Sequence, residues 1–299
     1  MSETSKDAPA RLRELIAGDG CTAVPGVFSP AVALLAEKAG FRALYFSGSA
    51  FSGLLGLPDL GVTTLTEVTT AVTQISSRVR LPLIVDVDTG FGEAVNMGRT
   101  VEEMERVDAA AIQVEDQVMP KRCGHLEGKQ LVSEEDMVKK LIAAREASTR
   151  GLVIVARTDA ASVDGIDAAV ERARLYVRAG ADVIFPEALR NEGEFREFAS
   201  KVRIPLLANM TEFGKTDYIP VSKFEELGYK LVIFPVTTFR VMMKSVQAAL
   251  DELAASGTQK GLLERMMHRD EFYDLIGYRA YEAVDGKTAR KAKKVLDTN

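Results

Sequence analysis

Tryptophan is absent from the 299 residues, and cysteine and histidine occur only twice each. Two cysteines, one in an apolar strand-like run and one in a polar loop, make no disulfide framework, so a reducing compartment suits both. Cys123 and His125 are the one close pair of soft ligands, and their spacing is too tight to chelate zinc well. His268, in a helical tail, reads as a packed or solvated side chain. No stretch approaches the roughly 18 apolar residues that cross a bilayer, and no apolar run follows a basic start at the N-terminus. A cytoplasmic protein without a membrane partner is expected. Positive charge is also short: the net charge is −5, and the one basic run, Lys287 to Lys294, reads as a solvated helix face. Nucleic acid, whose phosphates need clustered Lys and Arg, is not an expected partner. Finally, no G-x-G-x-x-G follows the first strand-like run, and DTGFG (88 to 92) is too short and misplaced to replace it, which argues against a dinucleotide fold.

What the chain has is 46% hydrophobic residues arranged in two alternating textures. Eight short apolar runs begin near positions 21, 43, 81, 109, 152, 181, 204 and 230. Longer amphipathic segments lie between them, such as 29 to 40, where Ser29 caps and Pro30 suits the first helical position. Others are 65 to 79, 93 to 107, 133 to 148 and 164 to 180; in the last, Ile166, Ala169, Val170, Ala173 and Val177 form one buried stripe. Runs without strict alternation, each followed by a helix, read as parallel strands covered on both faces. Eight such units predict an α/β protein, a (β/α)8 TIM-type barrel, rather than an open doubly wound sheet. The expected organisation is one barrel domain over 1 to 299, with 238 to 299 a C-terminal helical extension. A barrel needs only one helix after its last strand, so the surplus, rich in Met and Tyr, is expected to pack against a neighbouring subunit.

Polar residues gather at the C-terminal edges of the apolar runs: Ser47, Asp86 with Asp88, Glu115 with Asp116, Arg157 with Asp159, Glu187, and Asn209 with Thr211. In a parallel barrel these edges meet at one face, where such barrels carry their active sites. So many converging carboxylates call for a cation, and hard oxygen ligands suit Mg²⁺ or Mn²⁺. The two-residue alternation of a strand puts Asp86 and Asp88 on the same side. Arg157 and Arg240 are candidate clamps for a substrate carboxylate, as are Lys121 and Arg122. These last two stand in a long connection, Gln117 to Ser133, beside Cys123. Cations next to a thiol lower its pKa from about 8.5 into the reactive range, which marks Cys123 as a candidate for chemistry. Read alone, the stretch fits a redox sensor as well as a catalyst.

Lys121-Arg122-Cys123-Gly124-His125 resembles the signature of the isocitrate lyase and phosphoenolpyruvate mutase superfamily, and most closely that of its methylisocitrate lyases. The likeness extends through YFSGS (45 to 49), GLPDLG (56 to 61), VDVDTGFG (85 to 92), ARTDA (156 to 160), FPEA (185 to 188), LANMTEFG (207 to 214) and FPVTTFR (234 to 240). The resemblance implies a barrel whose last helix is swapped between subunits, usually in a homotetramer. It implies Asp86 as principal Mg²⁺ ligand, with Asp88, Asp59 and Glu115 holding its waters. Ser47, Gly48 and Ser49 would bind a substrate carboxylate with Arg157. Gly124, Glu187, Asn209, Met210, Thr211, Arg240 and Arg269 would complete the pocket. Cys123 would be the acid/base of a mobile lid, with Lys121 and His125 beside it; Tyr45 is a candidate for the base that takes the hydroxyl proton. Where relatives carry Ser-Gly-Gly, this chain has Ser47-Gly48-Ser49.

The implied reaction is a retro-aldol cleavage of 2-methylisocitrate to pyruvate and succinate, a step of propionate breakdown in the methylcitrate cycle, with Phe185 and Ile233 lining the pocket for the extra methyl. Alternatives within the fold act on isocitrate, dimethylmalate or oxaloacetate. An alternative of another class is a metabolite-binding or thiol redox-sensing protein without catalysis.

Overall fold

The computed structural model describes residues 7–297. Eight strands, β1 (Thr22–Val27), β2 (Leu44–Phe46), β3 (Leu83–Asp86), β4 (Ala111–Glu115), β5 (Val153–Thr158), β6 (Val183–Pro186), β7 (Leu207–Asn209) and β8 (Leu231–Phe234), pair in parallel in the order β6-β5-β4-β3-β2-β1-β8-β7. A parallel bridge between Ile184 and Leu206 joins the two ends, so the sheet closes into the expected barrel. Every apolar run of the sequence became one of these strands, trimmed at its ends.

Helices alternate with the strands for the reasons the sequence suggests. After α1 (Ala8–Ala17), α2 (Pro30–Lys38) starts where Ser29 Oγ accepts the Val32 amide. A short helix, α3 (Gly48–Leu54), precedes α4 (Leu65–Ser76), whose Thr64 and Glu67 form a reciprocal capping box. The others covering the barrel are α5 (Ala94–Arg106), α6 (Glu134–Ala147), α7 (Ile166–Arg178), α8 (Glu192–Lys201) and α9 (Val221–Glu226). Gly40, Gly180 and Gly228 stop three of them at positive φ, which costs glycine no steric strain.

The core is in two parts. One layer, including Phe46, Val72, Met104, Leu141, Ala173, Tyr176 and Phe224, fills the space between strands and helices. A second, with Val24, Ile84, Val155, Phe185, Leu231 and Ile233, fills the barrel interior, where Leu12 and Ile16 of α1 join it. Since Arg13 of α1 pairs with Asp182 just before β6, α1 plugs the N-terminal end and leaves the C-terminal end for chemistry.

The chain divides into two compact units, one through Arg240 and one from Val241 onward. Beyond β8 come α10 (Thr237–Ser256), α11 (Arg269–Ile276) and α12 (Tyr278–Leu296), and none of the three has a buried residue. Among the described residues, no helix is long and apolar enough to cross a membrane.

Candidate active site

The C-terminal strand edges and the 117–133 connection enclose one cavity of about 50 Å³. Its walls carry Tyr45, Ser47, Ser49, Asp59, Asp86, Lys121, Cys123, Gly124, His125, Arg157, Phe185, Glu187, Asn209, Thr211 and Ile233. That is most of the expected set, from six strands and the lid. The 117–133 connection lies down over the strand edges and leaves little free space between them.

The lid is a long hairpin. Gln117 and Leu131 bridge in antiparallel fashion at its base, and the Gln117 side chain brackets Arg122 by donating to its carbonyl and accepting from its amide, each at 2.9 Å. At the tip, Gly124 is held against the barrel. A Cβ there would stand 2.3 Å from Glu187 Cγ and 2.5 Å from an Arg157 nitrogen. His125 accepts the Lys215 amide at Nδ1 and sets Nε2 2.9 Å from Glu187 Oε1.

The expected activation of the thiol is corrected, and Arg157 is found already paired. Burial pushes the Cys123 thiol up, as does Glu187, and the opposing pulls of the His125 amide and Arg157 do not offset it. The neighbouring lysine does not activate the thiol because its ammonium points elsewhere. Lys121 pairs with Asp59 and lies 2.8 Å from Asp88 Oδ1. Desolvation alone would lower Lys121, yet Asp88, Glu115 and Asp59 hold it above the usual ammonium range. Arg157, a candidate clamp for a substrate carboxylate, gives Nε and one terminal nitrogen to Asp159 at 2.9 and 3.0 Å. Its other nitrogen lies 3.2 Å from Glu115 and 3.4 Å from Glu187. Burial alone would raise Glu187, but Arg157 and His125 hold it well below the usual carboxylate range.

The acids stand as follows. β3 ends at Asp86, and Asp88 is in the left-handed region at φ 49°, so strand alternation does not place it; its amide instead donates to Asp86 Oδ1 at 3.1 Å. Burial and Asp88 push Asp86 up to about 6. Glu115 is buried at the edge of β4, raised by that burial against the pull of Arg157 and Lys121, and its Oε1 has no hydrogen-bond partner. Such under-compensated oxygens fit a cation. No three His, Cys, Asp or Glu among the described residues converge to ligate one ion directly. An ion that keeps waters and takes few carboxylates directly, as Mg²⁺ does, fits this donor set.

Ser47 follows β2 directly, at the strand edge where it was expected, and caps α3, its Oγ accepting the Ala50 amide. The Gly48 amide donates to Asp86 Oδ2 at 3.2 Å, and a Cβ on Gly48 would lie 3.0 Å from the same oxygen. Several expected residues lie off the cavity. Met210 is buried behind it, its sulfur accepting the Ile219 amide. Arg240 is half exposed, 3.5 Å from Glu212 and over the Phe213 ring. Arg269 opens α11 in the second unit and is exposed. Sequence reasoning missed Pro235 and Val236, which line the cavity, and Gln113, beneath it. Gln113 was visible as a polar break in an apolar run.

Tyr45, the base candidate, has its hydroxyl engaged. Its hydroxyl donates to Gln113 Oε1, and burial, then Asp86, raise it well above the usual phenol range. Tyr45→Phe is expected to keep kcat within about tenfold of the parent, because loss of a true general base costs about 10²–10⁴-fold. A larger loss in steady-state assays restores Tyr45 as the base.

The phosphoenolpyruvate phosphomutase family profile matches residues 12–254. The 2-methylisocitrate lyase of Aeropyrum pernix is 60% identical over 95% of this chain and 92% of its own length. The crystal structure of 2,3-dimethylmalate lyase superposes with a TM-score of 0.88 at 33% identity, covering 94% of this chain and 95% of that one. Phosphonopyruvate hydrolase, crystallised with oxalate and Mg²⁺, superposes with a TM-score of 0.85 at 27% identity, covering 94% and 98%. The chain therefore belongs to the PEP mutase/isocitrate lyase superfamily and, within it, to the 2-methylisocitrate lyases.

Proposed function

We propose that this chain is an Mg²⁺-dependent carbon–carbon lyase that cleaves 2-methylisocitrate to pyruvate and succinate. The observation that carries this reading is the Cys123 thiol, kept protonated by burial, on the wall of the same cavity as Asp86, Phe185 and Ile233. The hydroxyl proton leaves to a base, the bond between the hydroxyl-bearing carbon and its neighbour breaks, and Cys123 protonates the succinate carbon. A neutral thiol is the form this last step needs. Arg157, beside Glu115 and Glu187, offsets charge as it develops, and Lys121 and His125 seat the lid on the barrel acids. Ser47, Gly48 and Ser49 offer a helix start to a substrate carboxylate, and Glu187, Asn209 and Thr211 orient the rest. Asp86 would hold the metal directly, with Asp88, Asp59 and Glu115 holding its waters; Mn²⁺ is a substitute. When bound, the ion polarises the oxygen that becomes the ketone of pyruvate.

Phe185 and Ile233 form the apolar wall for the extra methyl group. Product assays across 2-methylisocitrate, isocitrate, 2,3-dimethylmalate and oxaloacetate, following pyruvate from the first and glyoxylate from the second, test this. One methyl is worth about 1–3 kcal/mol, so kcat/KM for 2-methylisocitrate is expected to exceed that for isocitrate by about 10–200-fold. Glyoxylate as the main product, or no turnover of 2-methylisocitrate, overturns the reading.

The assembly is part of the proposal. The three last helices bury none of their residues and expose Val246, Leu250, Phe272 and Tyr281, which supports a homotetramer with exchanged C-terminal helices. Arg269 stays in the proposed substrate set as a residue of that tail. Light scattering should give about four times the 32.5 kDa chain mass.

A further inference from the structure

Lys129 stands at the base of the lid, outside the cavity wall, and its side chain is 2% exposed. A buried ammonium is costly unless it is paired, and this one has two partners. Nζ donates to Asp159 Oδ1 at 2.9 Å and to the carbonyl oxygen of Gly124. Gly124 lies between Cys123 and His125, packed directly on Glu187 and Arg157. Asp159, fully buried, also receives Arg157 Nε and a terminal nitrogen, while its own amide donates to Asp116. One carboxylate thus joins the lid's lysine to the guanidinium that lines the cavity. On the opposite side of the lid, Lys121 makes the matching attachment to Asp59 and Asp88.

We propose that Lys129 is a positioning residue: by bridging the Gly124 carbonyl and Asp159 it fixes the Cys123 thiol over the cavity without touching substrate. This rests on the acid role of Cys123 given above. Lys129→Met keeps the chain length but removes the donors, and Lys129→Arg keeps donors for both oxygens. Two readouts apply to each variant: the rate of Cys123 alkylation by iodoacetamide in the resting enzyme, mapped by peptide mass spectrometry with Cys21 as internal reference, and kcat and KM for 2-methylisocitrate. For Lys129→Met, alkylation of Cys123 is expected to rise about tenfold with Cys21 unchanged. Its kcat is expected to fall about 10–100-fold with KM within about threefold, as a displaced catalytic group produces. Lys129→Arg should recover most of both. Unchanged Cys123 alkylation, equal acceleration at Cys21, or an arginine variant as impaired as the methionine one overturns the proposal. If the parent enzyme does not turn over 2-methylisocitrate, the activity reading fails, while the alkylation comparison still decides the role of Lys129.

Discussion

Cys123→Ser is expected to lower kcat by about 10³-fold or more while the barrel stays folded. The reason is the direction of the thiol's pKa. Burial raises it, Glu187 adds to the rise, and the His125 amide and Arg157 pull it only partly back. A thiol held above its ordinary value of about 8.5 is protonated at neutral pH and has a proton to give. The active form is the protonated one, so activity is present below that pKa and is lost as pH rises through it. The alkaline limb of kcat should therefore lie above about pH 8.5 and vanish from the residual activity of the serine variant. Alkylation of the resting thiol should be slow at pH 7. Retention of a tenth of parental kcat by the serine variant, or an alkaline limb below pH 8, removes Cys123 as the proton donor to carbon.

Asp86→Ala, or removal of metal with EDTA, is expected to cost about 10⁴-fold in kcat, about 5 kcal/mol of barrel-held charge stabilisation. Only the EDTA loss should be reversed by Mg²⁺. A second measurement needs no turnover: Mg²⁺ should raise the Tm of the parent protein and leave that of Asp86→Ala unmoved. Because burial and Asp88 push Asp86 up to about 6, protons compete for it in the metal-free protein as pH falls through that value. The Mg²⁺-induced rise in Tm should be full at pH 7.5 and shrink at pH 5. A thiol sensor without catalysis would tolerate the loss of Asp86, so an unaltered Asp86→Ala protein supports that alternative.

The lid shows how tertiary placement changes the meaning of a motif. In sequence, Lys121 and Arg122 precede Cys123 and read as activators of the thiol. In the fold, the Lys121 ammonium reaches across to Asp59, 62 positions earlier, and Arg122 turns outward to the Glu127 carbonyl. Burial then governs the thiol and raises its pKa where the neighbouring cations were expected to lower it. Lys129 was invisible for the same reason. In a polar loop it looks like any solvated lysine, and only the approach of Asp159 and Gly124 makes it a buried contact.

The sequence by itself determined the barrel and the face that carries the site. Eight apolar runs alternating with capped amphipathic segments admit few other packings, and polar residues confined to one end of those runs must meet where parallel strands end. These are local patterns, written in residue periodicity. Tertiary structure alone decided which charges face one another: Arg157 is taken by Asp159, Lys121 by Asp59 and Asp88, and Tyr45 by Gln113. Those partners come from different strands and from the lid, and burial together with the nearest opposite charge sets each group's protonation. Neither quantity is a property of spacing along the chain.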